Sequence, residues 1–349
     1  MLDTTPSHQA QRWLDQFGQS LAGDKPDAVV ALFTTDCYWR DLVSFTWNIC
    51  TQDGHKAVRD MLTARQAETQ ASNFPLEGVA TEADCVTDAW FTFDTHVSRG
   101  RGHLRLKDGQ AWTLLTTMVE LNGFEEKKGA SRIMGAEHGA QQGRKSWLER
   151  RHEEESRLGY DEQPYVVIVG GGQGGIMLGA RLRRLGVPTI VVEKNARPGD
   201  SWRNRYKSLC LHDPVWYDHL PYMPFPEDWP VFTPKDKLGD WLEMYTKVME
   251  INYWGSTTAK KASFNEATGE WEVLVNRDGQ EITLRPKQLV FALGVSGYAH
   301  VPTISGADTF EGEQHHSSKH SGPEQYKGKQ CVVLGSNNSA HDICAALWE

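Results

Sequence analysis

The residues best suited to chemistry lie in the run YVVIVGGGQGGIMLGARLRRLG, which begins at Tyr165. A short apolar stretch, a glycine cluster and an amphipathic segment follow one another there. Gly170, Gly172 and Gly175 fit the spacing G-x-G-x-x-G. In that pattern the first glycine permits a tight turn, the second lets the backbone approach a diphosphate, and the third lets helix and strand pack closely. Unpaired amides and the positive end of the helix then favour an anion, a contribution of ~0.3–2 kcal/mol before direct hydrogen bonds. Gly186 and Pro188 end the helix, and TIVVE supplies a second strand closed by Glu193. A carboxylate roughly twenty residues past the first glycine accepts hydrogen bonds from the ribose hydroxyls of an adenosine and repels a 2′-phosphate. The site therefore suits FAD or NAD rather than NADP.

A second, imperfect copy occupies QCVVLGSNNSAHDICAALWE. Its spacing predicts a strand over Cys331–Leu334, a turn and an opening helix. Gly335 takes the first glycine position, Asn337 replaces the second, and Ala340 stands at the third. Asparagine is able to adopt a left-handed turn, but its side chain crowds an approaching phosphate. Two such sites in one chain point to a flavoprotein reduced by a nicotinamide cofactor.

The elements that position these residues follow from periodicity. Ahead of the glycine motif, His8–Ala22 carries Ala10, Trp13, Leu14, Phe17 and Leu21 on one helical stripe. A short helix is predicted near Pro26–Phe33, with Asp24 as its cap, and a third over His55–Ala67. The period then changes to two: Val86–Val97, Gly102–Leu106 and Ala111–Leu121 read as strands, the last two joined by a turn at Asp108–Gly109. Residues 125–163 are dense in charge, with the pairs Arg150–Glu154 and Arg151–Glu155 at i, i+4 spacing. They read as a solvated linker helix anchored by Trp147, Leu148 and Leu158.

Composition narrows the function. In 349 residues, 37 basic and 46 acidic side chains give a net charge of −9, which disfavours nucleic-acid binding. The six cysteines lie far apart with no C-x-x-C pair, so neither a metal site nor a redox dithiol is indicated, and buried reduced thiols are expected. The longest uncharged runs are broken by glycine, so no membrane span is predicted. The N-terminus lacks the basic and apolar regions of a secretory signal, and a cytoplasmic location is expected.

Two resemblances extend this reading. Helices followed by long strands over Gln9–Leu121 resemble the nuclear-transport-factor-two-like, polyketide-cyclase-like cone fold. In such a fold Trp39, Asp41, Trp47 and His55 line a pocket, or else serve as core and surface residues. From Pro164 to Glu349 the chain resembles class B flavin-containing monooxygenases of the YUCCA-like group. The segments carrying this are EKNARPGDSWRNRYKSLCLHDP, LPYMPFPEDWPVFTPKDKLGDWLEMY, LVFALG and FEGEQHHSSKH. The last fits the linker signature F-x-G-x-x-x-H through Phe310, Gly312 and His316. Three departures stand out: Ala292-Leu293-Gly294 replaces Ala-Thr-Gly, His320 stands where an aromatic is expected, and the chain stops inside the second fingerprint helix.

Together these give four expected regions: an α+β cone-shaped domain at 1–124, a charged helical linker at 125–163, an incomplete Rossmann-like α/β FAD-binding domain at 164–296, and the truncated start of a Rossmann-like NADPH-binding domain at 297–349. The resemblance implies an FAD- and NADPH-dependent monooxygenase that uses O2 to oxygenate a small organic substrate through a flavin C(4a) peroxide. It places Gly170, Gly172, Gly175, Glu193, Ser201, Trp202 and His212 against FAD. Gly335, Ser336, Asn338, Ser339 and Ala340 are placed against the NADPH diphosphate, and no catalytic acid or base is named. The alternatives are a different flavin–nicotinamide enzyme and a non-catalytic FAD-binding or interaction fragment.

Overall fold

The computed structural model describes residues 5–23, 25–135, 139–295 and 297–349. The chain divides into two compact units, Met1–Lys128 and Gly129–Glu349.

In the first unit, helix α1 (Pro6–Ala22) opens with Pro6 in its first turn and Thr5 as its cap, the Thr5 hydroxyl accepting from the amide of His8. Its buried face is Ala10, Trp13, Leu14, Phe17 and Leu21, the stripe that the periodicity predicts. Helix α2 (Pro26–Val30) follows; its proposed cap, Asp24, lies outside the described residues. Strands β1 (Phe33–Leu42) and β2 (Ile49–Asp53) then precede helix α3 (Gly54–Thr69). Strands β3 (Leu76–Ala83), β4 (Val86–Asp94), β5 (Ser98–Lys107) and β6 (Gln110–Leu121) complete the unit. The sheet order is β2-β1-β6-β5-β4-β3, with β1 parallel to β6 and the other pairs antiparallel.

Strands are therefore interleaved with the helices, not gathered after them. Sequence pattern missed β1 because its pairing shifts register between Phe33 and Tyr38, and because an acid, Asp41, holds one inward position. It missed β2 and β3 because their residues are mostly exposed, which leaves little alternation to read. The turn at Asp108–Gly109 has positive φ at both residues, the hairpin geometry that matches strand twist.

The proposed pocket residues are accounted for by packing. Trp39 is fully buried, stacked on Phe33, and its indole N–H donates to the Thr116 hydroxyl at 2.9 Å. Asp41 is fully buried and accepts from the amides of Phe45 and Thr46 and from the hydroxyls of Thr46 and Thr116. Four donors satisfy a carboxylate that burial would otherwise penalise. Trp47 is exposed, and the His55 ring meets the Phe33 carbonyl. The core reading therefore holds for Trp39 and Asp41, whereas Trp47 belongs to neither core nor pocket because its ring lies in solvent.

In the second unit, helix α4 (Trp147–Arg157) begins with a capping box in which Ser146 and Glu149 each satisfy the other's amide. The helix is docked along one side. Arg151 is buried and donates to the Ile251 carbonyl, while Glu154 pairs with Arg183 and accepts from Asn252. Arg151–Glu155 forms at 3.1 Å, but Glu154 is drawn to Arg183 and Arg150 turns to the Lys145 carbonyl. Trp147 and Leu148 stay exposed, so Leu158 is the buried anchor of the three.

Strand β7 (Val166–Val169), helix α5 (Gln173–Arg184) and strand β8 (Thr189–Val192) form a parallel β–α–β unit. Helices α6 (Asp200–Arg203) and α7 (Lys235–Val248) lead to β9 (Tyr253–Trp254). Strands β10 (Thr257–Asn265), β11 (Glu270–Arg277) and β12 (Gln280–Leu284) make an antiparallel meander, and β13 (Gln288–Phe291) returns beside β7. The resulting sheet, β13-β7-β8-β9, is wholly parallel. Its central strands are apolar runs because both faces are covered. Ile176 and Ala180 of α5 pack on one side with Leu242 and Tyr245 of α7, and Val273 and Val275 of the meander lie in the core on the other.

Helix α8 (Asn338–Trp348) forms as the second fingerprint predicts. The strand predicted over Cys331–Leu334 does not: these residues join no sheet, and Val332 and Leu334 are exposed. A parallel strand needs flanking strands to satisfy its amides and cover its side chains, and none lies beside this segment among the described residues. The cysteines also differ from expectation. All six are free, but only Cys37 is buried, and Cys85, Cys331 and Cys344 are exposed. No helix among the described residues is long and apolar enough to cross a membrane.

Candidate functional site

The glycine turn sits between the end of β7 and the start of α5. Gly170 has φ +112°, a conformation that side chains rarely adopt, and a Cβ there would run into the Ala292 carbonyl just past β13. Gly175 has no such freedom to explain; a Cβ on it would overlap the Gly170 carbonyl oxygen, so its role is close packing of α5 on the turn. Gly172 is the N-cap of α5 and behaves differently. The nearest atom to a Cβ on Gly172 is the Ser201 Oγ, at 3.8 Å, so this side of the loop is open.

The Ser201 hydroxyl is buried and has no hydrogen-bond partner among the described residues. An orphaned hydroxyl costs about 1–3 kcal/mol unless a ligand or water answers it. An open glycine face, a helix N-terminus and an unanswered hydroxyl together fit the diphosphate of a dinucleotide. Beside them, the Trp202 indole donates to Gln173 Oε1 at 3.0 Å, which ties α6 to the first turn of α5.

Glu193 directly follows β8 and is buried. Its Oε2 accepts from the Gly171 amide at 2.7 Å, and its Oε1 accepts from the Asn195 amide and side chain at 3.0 and 2.6 Å. Three of about four acceptor positions are thus in use, and a ribose hydroxyl would compete with the Asn195 side chain for Oε1. Tyr253 lies behind the loop and donates to the Gly171 carbonyl at 3.2 Å. Burial, reinforced by Glu193 and then Asp200, pushes the phenol far above its usual range, so it remains a donor. Sequence reading missed Gly171, Asn195 and Tyr253. The first two adjoin the motif, but Tyr253 arrives from β9 and carries no local signal.

His212 lies on the loop between α6 and α7, and its Nε2 meets Asp342 Oδ2 at 3.0 Å. The buried Tyr206 donates to the same oxygen at 2.7 Å. Asp342 belongs to α8, so both loop residues engage the second fingerprint helix, where Ile343 packs on Tyr206 and Leu209. Burial opposes ionisation of Asp342, but the hydrogen bonds from Tyr206 and His212 outweigh it and hold the carboxyl below its ordinary value.

At the second turn Gly335 has φ +147°. Asn337 is not left-handed: it is extended, φ −89° and ψ 173°, and caps α8 without a side-chain hydrogen bond. Any residue tolerates that backbone, so asparagine costs no strain there. Ser336, Asn338 and Ser339 are exposed or half-exposed at the helix start, with Ala340 one step further on. His316 caps a short turn, its Nδ1 accepting from the Ser318 amide at 3.2 Å.

With this geometry in place, comparisons with known proteins are informative. Residues 195–348 match the flavin-binding monooxygenase-like family. Residues 164–208, the glycine turn through α6, match an FAD binding domain. Indole-3-pyruvate monooxygenase YUCCA1 of Oryza sativa subsp. japonica is 35% identical over 185 residues, which are 53% of this chain and 45% of the relative. Probable indole-3-pyruvate monooxygenase YUCCA9 of Arabidopsis thaliana is 35% identical over 183 residues, covering 52% and 44%. A flavin-containing monooxygenase from Stenotrophomonas maltophilia is similar in structure, with TM-score 0.49 and 26% identity over 53% of this chain and 55% of that one. The chain spans a little under half the length of the curated relatives it matches.

Proposed function

We propose that this chain binds FAD at the first glycine turn and serves an FAD- and NADPH-dependent monooxygenase reaction on a small organic substrate with O2. The observation that carries the proposal is the open face of Gly172 beside the orphaned Ser201 hydroxyl at the N-terminus of α5. Gly170 and Gly175 shape the turn, and Gly172 admits the diphosphate. Ser201 donates to it, and Glu193 accepts from the adenosine ribose. Trp202 packs beside the loop, and His212, oriented by Asp342, faces the rest of the cofactor. Gly335, Ser336, Asn338, Ser339 and Ala340 receive the NADPH diphosphate at the start of α8. The bound flavin supplies the redox chemistry; the chain positions it, shields it and tunes its surroundings. The helix-backed six-stranded sheet of the first unit supports its reading as a nuclear-transport-factor-two-like domain.

A second reading, FAD binding without coupled oxygenation, is favoured by the unpaired residues 331–334, of which Cys331, Val332 and Leu334 are exposed. A nicotinamide site built on an unpaired strand holds its cofactor loosely, and a poorly closed site lets water reach the flavin. The test begins with the absorbance spectrum of the purified, FAD-supplemented protein. NADPH is then added with a panel of amines, sulfides and ketones, and hydrogen peroxide and oxygenated product are measured together. A flavin spectrum bleached by NADPH with stoichiometric product establishes the monooxygenase. Bleaching with hydrogen peroxide alone establishes the second reading, and failure to retain FAD overturns both.

A further inference from the structure

A cavity of about 370 Å³ lies outside both glycine turns, none of whose residues lines it. Its wall is built from three separated segments: the end of α6 with the residues after it, the start of α7, and residues 318–321. The cationic residues among them are Arg203, Arg205, Lys207, Lys235 and Lys319; His320 adds an imidazole that burial, and then His315, hold below its ordinary value and so neutral, and no acid lines the cavity. In a chain of net charge −9, this clustering is not the sampling of an average surface.

The cations divide into two sets. Arg203 is neutralised by Asp200, Asp240 and Glu243, Lys235 by Asp236, and Lys207 by Glu324. The Arg203 pairs tie α6 to α7, and the Lys207 pair reaches Glu324 just past residues 318–321. Arg205 and Lys319 are exposed and have no carboxylate partner among the described residues. His320 is buried, stacked against His315 and Tyr326, and its Nε2 has no hydrogen-bond partner. Asn204, Ser318 and Ser321 add neutral polar groups to the wall.

We propose that this cavity is a binding site for a dianionic phosphate group, free or as the end of a small phosphate monoester. Two unneutralised cations match its two charges. A guanidinium offers paired donors in the geometry that phosphate oxygens accept, and an ammonium adds a point charge. Hydroxyl and amide donors can satisfy the remaining oxygens, and the volume lies within the range of small-molecule pockets. The proposal does not depend on the flavin reading, because no residue of either glycine turn lines the cavity.

The experiment is titration of the full chain, without FAD or NADPH, at constant ionic strength. Inorganic phosphate and glycerol 3-phosphate are followed separately by calorimetry, with chloride and malonate as controls. Saturable one-to-one binding of either phosphate compound is expected. Binding of inorganic phosphate alone assigns the cavity to the free ion, and binding of the ester assigns it to a phosphorylated small molecule. The double substitution Arg205→Ala with Lys319→Ala should weaken binding at least tenfold, and both positions are exposed, so the fold should be retained. Lys260→Ala with Lys261→Ala, on the exposed part of β10, should change nothing. His320→Phe keeps the ring stack, removes the buried nitrogen, and should weaken binding severalfold. No saturable binding of either compound, equal binding of malonate, or equal losses in the β10 control overturns the proposal.

Discussion

Gly172 and Gly175 share one motif, yet the structure gives them different physical roles, and alanine at each position separates these. A Cβ on Gly175 would overlap the Gly170 carbonyl oxygen, with the Gly170 carbonyl carbon at 3.1 Å and Ile168 Cγ2 at 3.4 Å. The obstructing atom is backbone, so no rotamer change relieves it. Helix α5 has to move off the turn by about 1.5 Å to restore ordinary contact. Overpacking of this kind costs ~1–3 kcal/mol. Gly175→Ala should therefore raise hydrogen exchange in β7, α5 and β8 roughly five- to 150-fold where exchange reports local opening. For Gly172→Ala the nearest atom is 3.8 Å away and φ is −76°, so the cost is that of a poorer N-cap, below about 1 kcal/mol. That variant should keep near-native exchange protection but lose FAD affinity tenfold or more if, as proposed, the diphosphate approaches the open face of Gly172, where the methyl group would stand. Exchange mass spectrometry and flavin fluorescence titration on the same samples read both effects. Equal exchange protection in the two variants, or unchanged FAD affinity in Gly172→Ala, would refute the division of roles.

Glu193→Ala removes the proposed ribose acceptor and the anchor of the Gly171 amide, and should lower FAD affinity by ~1–3 kcal/mol, about tenfold or more, in the same titration. In the first unit, Asp41→Ala strands the buried amides of Phe45 and Thr46 and should destabilise that unit by roughly 2–3 kcal/mol in urea unfolding. A fragment ending at Lys128 should be soluble and unfold cooperatively by circular dichroism, since its core is closed by its own helices and strands. The Asp342 carboxyl has a lowered folded value, so its contribution is present above the ordinary carboxylate range and is lost as pH falls through that folded value. Exchange protection of α8, corrected for intrinsic rates, should fall in that acidic window for the native chain, and Asp342→Asn should show the reduced protection already at neutral pH.

The local elements were legible where one physical cause dominates. The α1 stripe, the hairpin at Asp108–Gly109 and the β–α–β unit with its glycine turn are each fixed by short-range geometry, by apolar period or by a backbone conformation. The site was legible to the same extent: three glycines and an acid at set spacing need no tertiary information to suggest a dinucleotide. The spacing also assigned close packing to Gly175 and the open face to Gly172; what it did not give is that Ala292 blocks a side chain at Gly170 and Tyr253 one at Gly171, because both arrive from distant segments.

Tertiary structure decided the remainder for equally specific reasons. Glu154 answers Arg183 and not its helical neighbour Arg150, because a partly buried guanidinium is a stronger partner than a solvated one. Asp41 became core because four donors converge on it. Residues 331–334 have the composition of a buried strand, but only Val333 is half-buried and the other three lie exposed, since an apolar run becomes a strand only beside another. Periodicity specifies what a segment is able to form; neighbours supplied by the rest of the chain determine whether its hydrogen bonds and apolar surface are met.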